Sequence, residues 1–433
     1  MDTKNTAFYQ DKQAINFDFS AEHVSSDGGV LLCEKIEREH RILADFSIHL
    51  PDKRSPYTTQ YQLLDILKQR IYLMMQGYED CNDEQKLRND PVISTVIGND
   101  LCSQPTLSRF ENSISKQTIF SLSYWFIERY VSSITEDRKQ IIIDIDSTDD
   151  PTHGNQQLSM FSGFYSQTMY NELIINDGET GQVILPVLRP GNAHSNWWYV
   201  SVIKRIIKRI REKFPHLKII LRADSGFSTS KIYELADTLN FNFYIALAKN
   251  ERLNKLTEEK ENEIRKNYLE KGLKHKEIIG PFAYKADSWH KEQSIYAKVE
   301  STGKGMNLRY FTSDIEDAEP EELYTFYTLR GDRSENRIKE IKSMCYSDRL
   351  SCHRFWANSF RMMLSCLCYE FFRLIREKIK AKGFINAAKW QVNNIRLHLL
   401  KIGSILKERV KYITLRFSKA FVHQDLLTEL LRS

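Results

Sequence analysis

No stretch of about 18 uncharged apolar residues interrupts the 433-residue chain, so nothing in it predicts a membrane span. The opening residues, MDTKNTAFYQDKQAINFDF, are polar and lack the apolar core of a secretory signal. Cysteine is scarce and odd in number: seven are scattered along the chain, with no metal-ligating spacing. Cys366 and Cys368 lie close together, but inside an apolar helical run. All seven read as reduced thiols, which excludes a disulfide scaffold and leads us to expect a cytoplasmic protein. Internal repeats and low-complexity segments are missing, and so is a strong net charge, which is only +5.

The charge that is present is unevenly placed. From Arg373 to Ser433 fourteen Lys and Arg stand against four Asp and Glu. A second basic cluster, Lys204, Arg205, Lys208, Arg209, Arg211 and Lys213, falls in a predicted helix. One such run alone is a solvated helix face. Two of them beside a carboxylate cluster suit a polyanion that is both held and cut.

Residues 1–135 read as a mainly helical domain. Leu63, Leu64, Ile66, Leu67, Ile71, Tyr72 and Met75 keep helical spacing, and Gly77 stops the run. In SQPTLSRFENS, Ser103 caps a helix with Pro105 in its first turn. Gln104 and Arg109 would then project from an exposed turn suited to a DNA groove, although an ordinary bundle helix has the same pattern. From Lys139 the rhythm becomes strand (QIIIDIDST), hairpin at GETG, helix, strand (LKIILRADSGF), helix, strand. Crossover helices between strands imply parallel neighbours, hence a mixed α/β sheet. We expect a catalytic core over 136–250, a charged link leading to an inserted antiparallel β subdomain within 251–320, the core again over 321–380, and a helical basic region over 381–433. Trp197 and Trp198, at the start of the helix after the hairpin, are assigned to the core.

The stretch IIIDIDSTDD, Ile141 to Asp150, carries the chemistry. Asp146 closes one apolar strand and Asp224 closes another. If these strands are neighbours, the two carboxylates meet beyond the carboxyl ends of a sheet, where ligands of open α/β folds bind. Carboxylates held close repel unless one is protonated or a cation joins them. Oxygen-only donors select Mg²⁺ or Mn²⁺ over zinc. Asp144 shares the face of Asp146, two residues away, and competes for the same role. Asp149 and Asp150 precede Pro151 and read as turn residues. The best candidate for a third carboxylate is Glu335, in a stripe with Lys339 and Lys342 that can bind a metal and a phosphate together; taken alone, an ordinary surface helix with a Glu–Lys pair is the better reading of the same pattern.

Several of these segments together resemble the DDE transposases of bacterial insertion sequences, the DDE domain group 1 with a Tyr-Arg-Glu-Lys signature. DIDSTDDPTHGNQ resembles the first-aspartate strand and turn, LRADSGF the second, and YTLRGDRSENRIKEIK the signature helix. FDFSAEHVSSDGGVLL, QPTLSRFEN, LRPGNAHS and WANSFRMMLSCLCYEFFRL extend the likeness over nearly the whole chain. The resemblance implies an RNase H-like fold with a β-rich insertion, a helical N-terminal domain that binds DNA ends, and a metal-binding triad of Asp146, Asp224 and Glu335. Two Mg²⁺ or Mn²⁺ ions, the element's terminal inverted repeats, target DNA and a homodimer on DNA follow as expectations, in a bacterial cytoplasm. Tyr327, Arg330 and Lys342 match the signature. One residue more than in the family pattern separates Arg330 from Glu335, so Arg333 is an alternative to Arg330. Trp289, in the insertion, would stack on a base or pack the insertion's own core.

Overall fold

The computed structural model describes residues 5–11, 13–52, 54–55, 57, 59–193, 197–272, 274–315, 318–331 and 335–432. Two compact units divide the chain: residues 1–110 with 374–433, and residues 111–373. No helix among the described residues is long and apolar enough to cross a membrane.

The first unit is a helical cluster carrying two small β elements. Its central helix, Leu63–Gln76, buries Ile66, Leu67, Ile71, Tyr72 and Met75, and ends at Gly77 in the left-handed conformation. A buried Glu34 accepts from Lys68 (2.9 Å) and from the Tyr72 hydroxyl (2.7 Å), which compensates its desolvation. Gln104–Asn112 forms the expected helix after Ser103. The basic C-terminal region departs from the helical expectation. Ser404–Arg409 and Tyr412–Phe417 form a hairpin whose first strand pairs with Val24–Ser25. Alternation in SILKER and YITLRF, with β-branched residues outside a helical period, favours strands.

The second unit is built on a mixed sheet. Its core strands are β1 (Gln140–Pro151), β2 (Gln167–Asp177), β3 (Val183–Pro190), β4 (Lys218–Ala223) and β5 (Asn242–Leu247). The order is β3-β2-β1-β4-β5, with β1, β4 and β5 parallel and β2 antiparallel to both neighbours. Helices α1 (Lys116–Ser133), α2 (Tyr199–Lys213) and α3 (Ser230–Leu239) flank the sheet. On α2, Val202, Ile203, Ile206, Ile207 and Ile210 are buried, as their helical spacing predicts.

Two expectations change here. The charged segment after β5 is not a link but α4 (Glu251–Lys271), capped by Asn250, whose Oδ1 accepts from the Leu253 amide at 2.9 Å. Its charges mask a sparse apolar stripe, with Leu253 and Ile264 buried. The insertion also forms no sheet of its own. Strands β6 (Lys276–Tyr284), β7 (Gln293–Thr302) and β8 (Gly305–Ser313) continue the core sheet, β8 pairing with β5 from Tyr310↔Leu247 to Ser313↔Tyr244. The chain then enters α5 (Pro320–Arg330), α6 (Asn336–Lys339) with a widened π-helical turn to Met344, and α7 (Phe355–Ala381), which runs out of this unit after 373.

Candidate active site

The register of the two parallel strands sets the site. Asp144 lies beside Arg222 and Ile145 beside Ala223, where the parallel pairing ends; Asp146 and Asp224 are the next residue along each chain segment. The apolar runs before them, Ile141–Ile143 and Ile219–Leu221, are buried and hold the strand ends rigidly. Asp224 begins a short 3₁₀ turn, and its Oδ1 accepts from the Gly226 amide at 2.9 Å.

Asp146 is strained electrostatically. Its carboxyl is raised to about 6, by burial first and then by Asp224 and Glu335, against the opposing Arg330 charge and Ser147 amide. Arg330, itself 7% exposed, meets Asp146 with Nη2 to Oδ2 at 3.0 Å. Burial works against the Arg330 charge, but Asp146 foremost among its neighbours keeps that guanidinium protonated. Tyr327 lies one turn earlier on α5 and stacks nearly parallel on Phe311 at 6.0 Å.

A cleft of about 320 Å³ opens against Asp146 and Glu335; Asp224, Arg330 and Tyr327 are not among the residues lining it. Asp146, Thr148, Glu335, Lys339 and Lys342 are among its lining residues. Lys342 donates to Asp149 (2.9 Å) and Thr148 (3.3 Å), so β1 aims the ammonium at the cleft. Burial disfavours the Asp149 anion, yet Lys342 holds its carboxyl below the usual value. Lys339 and Glu335 are exposed. Among the described residues, no three His, Cys, Asp or Glu side chains are gathered closely enough to cage an ion as they stand.

Several expected positions fall elsewhere. Asp144 does not join the cleft: it is fully buried, and both its oxygens are taken by Arg222 Nε and Nη2, at 2.7 and 2.8 Å. Gly178 lies over that pair, and a Cβ there would come within 2.9 Å of both side chains. Trp289 presents no stacking face. It is 7% exposed and packs edge-on against Tyr233 and Tyr284. Asp149 and Asp150 are not turn residues, because β1 runs on to Pro151. Gln104 and Arg109 belong to the other compact unit. Arg333 lies outside the described residues.

The sequence offers Arg189 and Arg222 as strand-end cations that could touch DNA, but it does not reveal their partners. Arg222 pairs Asp144, and the repeated spacing (Asp-x-Asp on one strand, Arg-x-Asp on the next) is the signal that finds it. Arg189 and Tyr165 also feel the Asp224 charge. Asp150 and Glu172 form a buried acidic pair on the same face of β1 and β2. Neither Asp150 oxygen has a hydrogen-bond partner among the described residues, and Glu172 Oε2 accepts from the Ser347 hydroxyl at 2.9 Å. Desolvation first raises both carboxyls; Lys342 opposes the rise at Asp150 while Asp348 and Asp149 add to it, and the Asp150 charge adds to it at Glu172.

The family model described as transposase DDE domain group 1 matches residues 8–433. No curated protein matches the chain. Among solved structures, the chain is similar to the piggyBac transposase synaptic complex with hairpin DNA, determined by cryo-EM. The identity is 14% over 86% of this chain and 80% of that one, with a TM-score of 0.46. It is also similar to the Mos1 transposase paired-end complex with left transposon end (12%; 45% and 61% covered; TM-score 0.18). A third is the Ciona intestinalis endonuclease V in complex with a 24mer DNA containing an inosine followed by a ribo-adenosine (9%; 53% and 100% covered; TM-score 0.24).

Proposed function

This chain belongs to the DDE domain group 1 transposases, and we propose that it cuts the ends of its own insertion sequence and joins them to target DNA. The observation that carries it is that Asp146 and Asp224 each follow the last paired residues of two adjoining parallel strands, with Asp146 destabilised as an anion by burial and by both other acids.

The donor set suits a hard divalent cation. All three groups are carboxylates, and an anion so disfavoured gains from a cation beside it. Asp146, Asp224 and Glu335 would hold two Mg²⁺ or Mn²⁺ ions, Asp146 exchanging the Arg330 contact for them. Bound divalent ions supply Lewis acidity toward the oxygens of a phosphodiester. The chain's own residues do the rest. Lys342, held by Asp149 and Thr148, engages a phosphate oxygen at the mouth of the cleft. Lys339 adds charge outside it. Arg330, released from Asp146, remains beside the cleft to balance the phosphate. Tyr327 positions Arg330 through its seat on Phe311. Water is the first nucleophile and yields a 3′-hydroxyl, which attacks target DNA in the second step. The basic segments supply non-specific affinity for the DNA backbone, and the first unit reads the terminal repeats. A homodimer bridging two ends would hold both reacting termini.

The test is a cleavage and strand-transfer assay on duplexes carrying the element's ends, with Mg²⁺ or Mn²⁺ titrated in. Joined product that requires the metal supports the reading. Cleavage without joined product would reduce the protein to a nuclease, and activity indifferent to chelator would overturn the carboxylate site.

A further inference from the structure

The N-terminal end of α2 carries a feature that the cleavage chemistry does not use. Trp197 and Trp198 stack on one another, with centroids 5.0 Å apart and planes 26° from parallel. Both are 44% exposed, which corrects their assignment to the core. Trp198 has a left-handed backbone (φ 65°), uncommon for so bulky a residue. Its carbonyl accepts from the Ser201 hydroxyl at 2.7 Å and from the Val202 amide at 3.1 Å. The pair is therefore built into the chain rather than left dangling.

Two hydrogen bonds tie this point to the acidic centre. Arg189, fully buried, donates from Nη1 to the Trp197 carbonyl at 3.2 Å. The Tyr199 hydroxyl donates to the carbonyl of Phe227, at 2.7 Å, in the turn that Asp224 caps. Away from the centre, one exposed face of α2 continues through Ser201, Lys204 and Lys208. Arg205 lies over the Tyr124 ring and Arg209 pairs with Glu128 and Glu212. Lys204 and Lys208 have no such partner among the described residues.

An exposed aromatic step followed by unpaired lysines on one helix face is a surface for single-stranded nucleic acid. Rings take the bases and ammoniums take the phosphates, without regard to base identity. We propose that Trp197, Trp198, Lys204 and Lys208 form a platform that carries an unpaired DNA strand to or from the acidic centre. This rests on the transposase reading for its purpose but not for its test. A protein partner would leave the two lysines without an assigned anion, so we favour DNA.

The experiment measures binding by the full chain, without added divalent metal, to a fluorescent thymidine oligomer of about 20 nucleotides and to a duplex of the same length. Trp197→Ala/Trp198→Ala is expected to weaken oligomer binding about tenfold or more and to change duplex binding less than about twofold. Trp197→Phe/Trp198→Phe keeps an aromatic face and should retain most of the oligomer affinity, which separates stacking from misfolding. Lys204→Ala/Lys208→Ala should lower the salt slope of oligomer binding by about 1.4. Unchanged oligomer affinity in the double alanine variant overturns the proposal. So does an equal loss on duplex and oligomer, or a change of oligomeric state with DNA affinity intact, which would assign the pair to a protein contact. A wild-type chain that cleaves and joins duplex ends but ignores the oligomer overturns this inference and leaves the proposed function standing. Tryptophan-dependent oligomer binding by a chain that never cleaves does the reverse.

Discussion

Asp144 and Asp146 stand two residues apart on one strand and point to one face, yet their surroundings differ in kind. Asp144 is met by a bidentate guanidinium and sealed beneath Gly178. Asp146, two residues on and past the last paired residue of the neighbouring β4, has the Arg330 contact and the Ser147 amide against two other acids pressing on it. The inner carboxylate is compensated and closed to solvent. The outer one is under-compensated and opens to a cleft. What separates a structural ion pair from a candidate catalytic group here is the length of the neighbouring strand, not the identity of the residue.

The sharpest break of this comparison comes from removing the outer acids. Asp146→Ala, Asp224→Ala and Glu335→Ala should each abolish metal-dependent cleavage while end binding and the circular dichroism spectrum remain; cleavage by any one variant would remove that residue from the site. Removing the inner acid should act on folding instead. Asp144→Ala leaves Arg222 buried and unpaired, which costs about 3–5 kcal/mol and is read as a fall in the thermal midpoint. Replacing both members, Asp144→Leu/Arg222→Met, should recover much of that loss. Equal midpoints for the Asp144 and Asp146 variants would erase the distinction.

A third prediction uses the other buried acids. Burial pushes the Asp150 carboxyl up to about 8, Lys342 opposing and Asp348 and Asp149 adding to the rise, and burial and then Asp150 raise Glu172. The folded chain therefore binds more protons than the unfolded one from about pH 4 to about 8, so stability falls as pH rises through that window. Asp150→Asn should flatten the slope of denaturant-measured stability against pH; an unchanged slope would place the titration elsewhere. The smallest effect belongs to Lys339→Ala. Its loss should weaken DNA binding uniformly across sequences and reduce the salt slope by about 1.

Much of this was legible in the residues. The two apolar runs ending in Asp146 and Asp224 announced both the parallel strands and their shared edge, because burial on both faces leaves a strand with no other pattern. The long helix around WANSFRMMLSCLCYEFFRL was equally plain. What escaped depended on partners remote in sequence. Charge alone made α4 resemble a link, since its capping Asn250 and two buried residues are a weak periodic signal. The assignment of Trp289 turned on Tyr233, which comes from a different helix. Trp197 and Trp198 looked like core because tryptophan usually is, and only the folded chain shows their open faces. Asp150 read as a turn residue because an unpaired buried carboxylate is costly enough to be the poorer guess, and nothing in the sequence singled out Glu172.

Strand β8 joins the insertion to the core through backbone pairing with β5, and β5 in turn pairs with β4, which leads into Asp224. A module attached by flexible tethers could swing while the centre stayed still. One stitched into the same fabric of amide hydrogen bonds cannot: a torque on its outer strands strains the row beneath the acids. Whatever grips the insertion thus has a mechanical handle on the alignment of the strand-end acids.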